Sequence, residues 1–409
     1  MKKSKYKILV CPSDRTGVSK FRSVDPHIRL QEMYPDEFWI DIDYSPKCED
    51  ENFFKQYDLV QYHRSVGPDF ARSQKAVEIC KKLGIPTVCD IDDYWLPTVD
   101  HPAFAIVKEN KLDHMITESL KIASHITTTT KVFAEEIKKL NKNVTVLPNT
   151  VNPRERQFHP KKTDSDLIRI GWLGGSSHLK DLEILSGLPQ RLNGTHKGKF
   201  QFVLCGYDLR GSVTVINPQT KEQQVRDIEP HESVWYLYEN IFTDKFKILS
   251  DEYKKHLHKW EKGGIDDSDL PYKRVWTKPI TTYASNYNNF DISLAPLKEH
   301  IFNKVKSQLK VIEAGFHKKA LIAQNYGPYQ IDCINAIEYG GKINPKGNSI
   351  LVDTSKNHKN WYKAVKKLMD NPNMIEDLGE RLYEDVQKYH IDVVTSDRAE
   401  FYRELIRKS

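Results

Sequence analysis

One short stretch constrains the fold more than any other, because it combines a buried strand with a helix directly after it. Residues 292–297 read Ile-Ser-Leu-Ala-Pro-Leu, an alternation of apolar and small side chains that ends at a proline and a leucine. This pattern predicts a buried strand that runs into a loop. Leu309, Ile312 and Phe316 follow at helical spacing, and they predict a helix that docks its apolar face on a sheet.

The polar residues of the same stretch suit a phosphate ligand. Lys306, Lys310 and Glu313 fall at i, i+4 and i+7 and share a second face of the helix. At a strand-to-helix junction, lysines and a helix N-terminus can hold a diphosphate, and a carboxylate can accept hydrogen bonds from ribose hydroxyls. A solvated, salt-bridged helix face is the alternative interpretation of the same spacing.

Composition sets the broad class of protein. A chain of 409 residues with 39% hydrophobic residues is long enough for two globular domains. The formal net charge of +6 is compatible with phosphates, an anionic membrane surface or nucleic acid. The six cysteines have no metal or redox spacing, which favours a reducing compartment. No run is apolar enough for a signal peptide or a membrane span, so we expect a soluble cytoplasmic protein.

In the first half, polar residues follow predicted strands. Gly17 lies between a first strand and a first helix, where a glycine lets a ligand approach backbone N–H groups. His63 follows a second apolar run, and Asp92 and Asp93 follow a third. Because ligands bind at the carboxyl ends of parallel strands, we expect these three side chains to be functional. The carboxylates also suit a divalent cation, or a helix N-cap and first turn, which is the interpretation preferred for Asp90.

The alternation restarts after a polar linker at 148–166. Residues 168–173 predict a strand, and Gly174 opens a glycine- and serine-rich turn that carries His178 and Lys180 into a helix. This turn could hold a phosphate, with Lys180 as a point charge, or be a plain connection.

The segment 207–276 fits the alternation less well. It predicts hairpin strands around 213–216 and a polar helix near 245–262, so we interpret it as an insertion or lid. The predicted organisation is an N-terminal α/β domain at 1–155, a second α/β domain at 156–390, and a C-terminal helix at 391–409.

Taken together, these segments resemble the GT-B glycosyltransferases, in particular the retaining glycosyltransferase family 4. The resemblance covers nearly the whole chain outside 207–276. The residues that carry it are Ala295-Pro296-Leu297, Lys306-Ser307-Gln308-Leu309-Lys310 and Glu313-Ala314-Gly315, supported by Gly171-Trp172 with Gly174 and His178, by Leu147-Pro148-Asn149, and by Asp90-Ile91-Asp92-Asp93.

The resemblance implies two Rossmann-like domains facing across a cleft, with the C-terminal helix packed back on the first. The first domain would bind the acceptor and the second a nucleotide-sugar donor, UDP- or GDP-linked. Glu313 would accept from the ribose. The groups meeting the diphosphate would be Lys306, Ser307, Leu309 and Lys310, the glycine loops at Gly17 and Gly174, and Lys180 or His178.

One position departs from the family pattern. Many relatives carry a sugar-contacting glutamate eight positions before the one matched by Glu313, and Val305 stands there in this chain. A subset of relatives shares this version. Because valine cannot make this contact, His63, Asp92 and Asp93 are the candidate sugar or acceptor contacts.

The implied activity is transfer of a sugar, with retention, to an acceptor hydroxyl in the synthesis of a surface glycan (capsule, lipopolysaccharide or glycoprotein). The acceptor would be a saccharide or a lipid-linked saccharide, met at the inner face of a membrane. No metal and no resident cofactor is expected, since Lys306 and helix N-termini can stabilise the leaving diphosphate. If the enzyme inverts instead, Asp92 or Asp93 is the candidate base. The alternatives are transfer to a modified base of DNA, although no basic stripe with interleaved aromatics is present, and a GT-B binding protein without catalysis.

Overall fold

The computed structural model describes residues 5–67, 69–99, 101, 103–216, 219, 223–256, 268–353 and 357–408. The chain divides into two compact units. The first unit comprises the described residues up to Asn152, together with His300–Ile312 and the described residues from Gln387 onward. The second unit comprises the described residues of Pro153–Glu299 and Glu313–Val386.

Each unit is built on a six-stranded parallel sheet. The first sheet has the order β2-β1-β3-β4-β5-β6, with strands β1 (Tyr6–Cys11), β2 (Phe38–Ile42), β3 (Leu59–His63), β4 (Thr87–Ile91), β5 (His125–Thr128) and β6 (Val144–Val146). The second has the order β11-β8-β7-β12-β13-β14, with strands β7 (Ile168–Leu173), β8 (Phe200–Tyr207), β11 (Tyr272–Trp276), β12 (Ile292–Ala295), β13 (Ala320–Gln324) and β14 (Ile350–Val352). Strands β9 (Ser212–Ile216) and β10 (Gln223–Asp227) form a separate antiparallel hairpin.

Helices connect the strands in both units. In chain order they are α1 (Gly17–Ser19), α2 (Asp25–Met33), α3 (Glu51–Phe54), α4 (Phe70–Lys82), α5 (Phe104–Glu109), α6 (Leu112–Ile122), α7 (Lys131–Ile137), α8 (Leu179–Leu182), α9 (Leu188–His196), α10 (Val234–Phe242), α11 (Asp251–His256), α12 (Ile301–Lys304), α13 (Leu309–Phe316), α14 (Lys359–Asp370), α15 (Asn373–Asp385) and α16 (Ile391–Arg407). A π-helical segment, Lys20–Val24, joins α1 to α2. Helix α4 begins where the Asp69 carboxylate accepts the backbone N–H groups of Ala71 and Arg72.

The C-terminal helix α16 packs on the first unit. Its Ala399 and Tyr402 share an apolar cluster with Ile8 and Val10 of β1. The Tyr402 hydroxyl also lies 2.8 Å from Nε2 of the buried His27 on α2. This docking of the final helix on the first unit is the packing that the family resemblance implies.

Residues 300–312, which the sequence places in the second domain, pack with the first unit. The physical reason is Val305, which is fully buried in the same apolar cluster as Leu9 of β1 and Val60 of β3. The position at which the sequence departs from the pattern of the resemblance is therefore a core position.

The segment 207–276 is more than an insertion. The hairpin predicted near 213–216 is present as β9 and β10, and α11 covers part of the predicted helix at 245–262, of which 257–262 lies outside the described residues. However, β11 pairs in parallel with β8 as the edge of the second sheet. Trp235 and Tyr238 of α10 are buried in the core of the second unit. These parts belong to the second α/β layer because their apolar faces complete its core.

No helix in the described part of the chain combines the length and the apolar character that crossing a bilayer requires.

Candidate functional site

The strand order of the first sheet brings two sequence-predicted loops together. Strand β1 lies between β2 and β3, so the direction in which the sheet grows reverses between β1 and β3. Ligands of open parallel sheets bind outside the carboxyl ends of the strands at such a switch point. Here the loop after β1 carries Ser13 and Gly17, and β3 ends at His63.

A chain of hydrogen bonds crosses this switch point. The Ser13 hydroxyl lies 2.7 Å from His63 Nδ1, and His63 Nε2 lies 3.1 Å from Asp92 Oδ1. Arg64 Nη2 donates to the same Asp92 oxygen at 3.2 Å. His63 is buried beneath an exposed Ser13. The arrangement gives an imidazole that is oriented by a carboxylate and connected to a surface hydroxyl, which is the construction of a general base.

The Ser13 hydroxyl also lies 3.1 Å from Asp14 Oδ2. When the hydroxyl donates to His63 Nδ1, the imidazole is neutral and donates through Nε2 to Asp92. When the hydroxyl donates to Asp14 instead, both ring nitrogens of His63 can carry protons. The same side chains therefore accommodate the imidazole before and after it takes up a proton.

The two neighbouring carboxylates after β4 have pKa values shifted in opposite directions. Burial raises the pKa of Asp92, but hydrogen bonding and charge from His63, together with Arg64, outweigh burial and lower it. Burial and the charge of Asp92 raise the pKa of Asp93, and the opposing effect of Lys306 is smaller. Paired carboxylates whose pKa values are pushed apart are typical of acid and base roles at one site. Lys306 therefore belongs to the electrostatic surroundings of Asp93.

The third carboxylate of this strand end has a structural role. Asp90 is fully buried and accepts from Arg22 Nε at 3.0 Å and from Arg22 Nη2 at 2.6 Å. Thr127 Oγ1 donates to Asp90 as well, at 2.7 Å. Asp90 is therefore structural, but the predicted helix N-cap is wrong, since Asp90 lies within β4 and its role is a buried ion pair with Arg22. Among the described residues, no group of three or more His, Cys, Asp or Glu side chains is arranged to hold a metal ion.

The other predicted residues of the first unit lie at the starts of α1 and α13 and in the turn that precedes α13. Gly17 begins α1, and Thr16 before it makes no side-chain capping bond, so the first N–H groups of this helix are not capped by that side chain. Ser307 Oγ accepts from Asn149 Nδ2 at 2.9 Å, and Lys306 Nζ lies 5.2 Å from the centre of the Phe302 ring. Leu309 and Lys310 open α13 as predicted.

The second sheet has its switch point between β7 and β12, since β7 lies between β8 and β12. The loop after β7 contains Gly174 and His178, and its shape is fixed by hydrogen bonds. His178 Nδ1 lies 2.8 Å from Asp181 Oδ2, while Asp181 Oδ1 accepts the backbone N–H of Lys298 in the loop after β12 at 2.8 Å. Asp181 thus joins the two loops that flank the switch point.

Tyr238 holds the same loop from the other side. Its hydroxyl accepts from the His178 backbone N–H at 2.8 Å and donates to the Gly175 carbonyl at 3.2 Å. A Cβ on Gly206, whose φ is +98°, would lie 2.9 Å from the Gly174 carbonyl oxygen, so β8 approaches this loop closely. Lys180, by contrast, pairs with Glu183 on the helix surface at 3.1 Å with half of its side chain exposed.

Glu313 lies in a tyrosine-lined site of the second unit. It is buried, and its Oε1 accepts from the Tyr283 hydroxyl while its Oε2 accepts from the Tyr287 hydroxyl at 3.1 Å. Burial, followed by the charge of Glu313, raises the pKa of both tyrosines, so both phenols remain protonated donors.

Comparison with known proteins places this geometry in context. No family model matches the chain, and no curated protein matches it. Solved structures do match. A sucrose-phosphate synthase from Thermosynechococcus elongatus matches at 12% identity and TM-score 0.59, covering 99% of this chain and 100% of that one. Anabaena Alr3699/HepE in complex with UDP-glucose matches at 11% identity and TM-score 0.59, covering 97% of this chain and 99% of that one. A glycosyltransferase from Rickettsia africae matches at 13% and 0.59, covering 100% of both.

The chain has the GT-B fold. The predicted fold class is thereby confirmed, as two six-stranded parallel α/β units. At these levels of identity the likeness concerns the fold, and the roles of individual residues in this GT-B chain remain predictions.

Several residues of the sites escaped the sequence analysis. Ser13 gave no signal, because a lone serine after a Cys-Pro pair is a common loop residue. Asp181 follows Lys180 in the first turn of the predicted helix, where an acidic side chain is common, and Tyr238 lies in the segment interpreted as an insertion or lid. Tyr283 and Tyr287 did carry a usable signal, since they are spaced i, i+4 just before a buried strand and could be expected to share one face.

Proposed function

We propose that this chain is a glycosyltransferase, of the hexosyltransferase type, that moves a sugar from a nucleotide-diphosphate sugar to an acceptor hydroxyl. The observation that carries the proposal is the pair of switch points, each with a hydrogen-bonded set of polar side chains, in a chain with the GT-B fold. The structures it resembles include a sucrose-phosphate synthase and a protein crystallised with UDP-glucose, which supports a nucleotide-sugar donor.

For the donor we propose a UDP- or GDP-linked sugar bound by the second unit as a substrate, with no resident cofactor. Glu313 would accept from the ribose hydroxyls. The Gly174–His178 loop would approach the diphosphate through backbone N–H groups. Further diphosphate contacts are proposed for the residues matched by the resemblance, which are Gly17, Lys180, Lys306, Ser307, Leu309 and Lys310.

For the acceptor we propose a saccharide, free or lipid-linked, bound by the first unit during synthesis of a surface glycan in the cytoplasm, at the inner face of a membrane. Lys306 would stabilise the charge of the leaving diphosphate without a metal ion. Retention is the outcome that the resemblance implies.

Inversion is a second candidate because of a specific observation. A protein base is needed for inversion, and His63 lies between the Ser13 hydroxyl and the Asp92 carboxylate with both ring nitrogens in hydrogen-bonding reach. In this version the Ser13 hydroxyl would pass its proton to His63 Nδ1 as it takes up the acceptor proton, and Asp92 would stabilise the resulting imidazolium. The configuration of the product at its anomeric carbon, read by NMR, separates the two outcomes.

The first test is thermal stability of the full chain with UDP, GDP, CMP and dTDP and their common sugars, with and without EDTA. A ligand that binds only the native state raises the free energy of unfolding by mass action, by about 2.7 kcal/mol at a concentration of a hundred times Kd. The melting temperature rises as a result. We expect one diphosphate to give a shift that EDTA does not alter and that Glu313→Gln reduces strongly. Glu380→Gln, on the same unit but exposed, is the matched control.

No shift with any nucleotide would contradict the donor site. A binding protein without catalysis would then be the better hypothesis, in keeping with the buried Val305 in place of a sugar-contacting glutamate. A shift followed by sugar transfer to glucosylated or hydroxymethylated DNA, and not to saccharides, would favour the nucleic-acid acceptor instead.

A further inference from the structure

The second unit contains a cavity of about 500 Å³ that the proposed transfer does not use. Its walls include Asp291, which directly precedes β12, and Lys319, which directly precedes β13. Because β12 and β13 are parallel, these residues lie at the amino ends of the strands. The cavity therefore lies at the amino ends of the strands, whereas the switch-point loops lie at their carboxyl ends. Its volume is within the range of small-molecule sites.

A buried lysine lies in this cavity. Lys319 is 4% exposed, and its Nζ donates to the backbone carbonyl of Lys161 at 2.7 Å. Lysine is rarely buried without a carboxylate partner, because a buried charge is costly unless it is compensated. Asp291 is the carboxylate that acts on Lys319 electrostatically. Its oxygens, however, accept from Thr163 Oγ1 at 2.6 Å and from the Arg169 backbone N–H at 2.9 Å.

The other charged side chains that line the cavity are exposed, paired or neutral, and Lys161 is among the exposed ones. Lys162 pairs with Glu376 at 3.0 Å, and Lys318 pairs with Glu380 at 2.7 Å. Burial lowers the pKa of His317 to about 4, so this side chain is neutral near pH 7. Its ring nitrogens lie within hydrogen-bonding distance of two backbone carbonyls. Among the described residues that line the cavity, Lys319 is thus a buried cation with a backbone carbonyl as its closest acceptor.

We propose that this cavity is a binding site for a small oxyanion, a phosphate or sulfate group carried free or on a small molecule, with Lys319 as its direct ligand. The anion would supply the missing compensation for the buried ammonium group through charge-assisted hydrogen bonds. Pro160, Pro372 and Ile375 contribute the apolar part of the lining. None of the residues proposed to bind the donor lines this cavity, and the proposal does not rest on the proposed function.

Protonation of Lys319 sets the pH dependence of this site. Burial lowers the pKa of Lys319 to about 8, against the opposing charge of Asp291. The anion binds the protonated amine, so affinity should be full below about pH 8 and fall as the pH rises above it. Sulfate is the suitable probe, because its own charge stays constant over this range.

The test is calorimetric titration of the full-length protein with sulfate at constant ionic strength, at pH 6.5 and pH 9.5. Loss of charge-assisted hydrogen bonds predicts that Lys319→Met weakens binding roughly 10- to 100-fold at the lower pH. Lys162→Met, which removes an exposed lysine from the rim of the same cavity, should change affinity less than about twofold. Inorganic phosphate and glucose 6-phosphate, titrated in parallel, distinguish a free anion from a phosphorylated small molecule by which of the two binds more tightly.

A second measurement uses the wild-type protein, so its result does not depend on whether the Lys319→Met variant folds correctly. Sulfate should slow acetylation of Lys319 by acetic anhydride, followed by mass spectrometry, and leave Lys162 unaffected. The proposal is overturned if sulfate does not bind. It is equally overturned if Lys319→Met binds sulfate as the wild type does, or if saturating UDP displaces the sulfate, since the anion would then occupy a nucleotide site. Binding that survives saturating UDP and disappears with Lys319 supports it, whether or not any transferase activity is found.

Discussion

Replacing Asp90 by asparagine should destabilise the first unit by about 3–5 kcal/mol, because it leaves the Arg22 guanidinium buried without its counter-ion. Arg22 is 2% exposed and Asp90 is fully buried. The guanidinium also donates to the Leu147 carbonyl at 2.7 Å and to Asn149 Oδ1 at 3.3 Å. These neutral acceptors hold it in place without neutralising it.

The magnitude follows from the bonds that are lost. Two charge-assisted hydrogen bonds, of 3.0 and 2.6 Å, join Arg22 to Asp90. Bonds to charged groups contribute about 1.5–3 kcal/mol each. Their sum, about 3–6 kcal/mol, agrees with the cost of breaking a buried pair by removing one partner. Thr127 and Arg22 Nη2 donate to the same Asp90 oxygen, so an asparagine oxygen there keeps both bonds without the charge, its NH2 group faces Arg22 Nε, and the lower part of this range is expected.

Hydrogen exchange read by mass spectrometry is the appropriate assay, because the two units need not unfold together. Peptides from β1 and β4 should lose protection in Asp90→Asn, whereas peptides from β7 and β12 should not. Glu135→Gln is the matched control, since its partner Lys138 lies 2.7 Å away at the surface of the same unit. An exposed pair of this kind contributes roughly 0–1 kcal/mol.

A double variant, Arg22→Met with Asp90→Asn, tests the cause. Removing both charges should restore part of the lost stability, because no uncompensated charge remains. The reasoning would be refuted if Asp90→Asn cost no more than Glu135→Gln, or if the double variant were less stable than the sum of the two single ones.

Two further predictions concern packing and pH. A Cβ on Gly171 would lie 2.0 Å from the Phe290 ring, so Gly171→Ala should lower the free energy of unfolding by about 1–3 kcal/mol. Gly175→Ala is the control and should not lower it, because a Cβ there would have no atom within 4 Å. Equal melting temperatures of the two variants would contradict this prediction. Because the pKa of Asp92 is lowered, its carboxylate stabilises the native state above about pH 4, and Asp92→Asn should cost stability at pH 7 but progressively less as the pH falls. The pKa of Asp93 is raised, so Asp93→Asn should gain stability at pH 7 and lose that gain towards pH 4. Urea unfolding at several pH values measures the stability of both variants. If stability changed with pH in the same way in Asp92→Asn and Asp93→Asn, the opposite pKa shifts of the two carboxylates would be contradicted.

The fold class was available from the sequence because its signals are local. Alternating apolar residues at 292–295 and the glycine turns at Gly17 and Gly174 specify strands, and the loops that follow them, within a few residues. Repetition of strand and helix along the chain then favours parallel sheets. For the same reason, the carboxyl ends of β3 and β4 could be identified in advance as places for His63 and Asp92.

What the tertiary structure alone decided depends on contacts between residues far apart in the chain. The reversal of strand order sets Ser13 beside His63, 50 positions away, and Asp181 beside Lys298, 117 positions away. The burial of Val305 among first-unit strands assigns 300–312 to that unit. No local pattern encodes these pairings, since each arises from how apolar faces pack together, and that is settled only when the whole core forms.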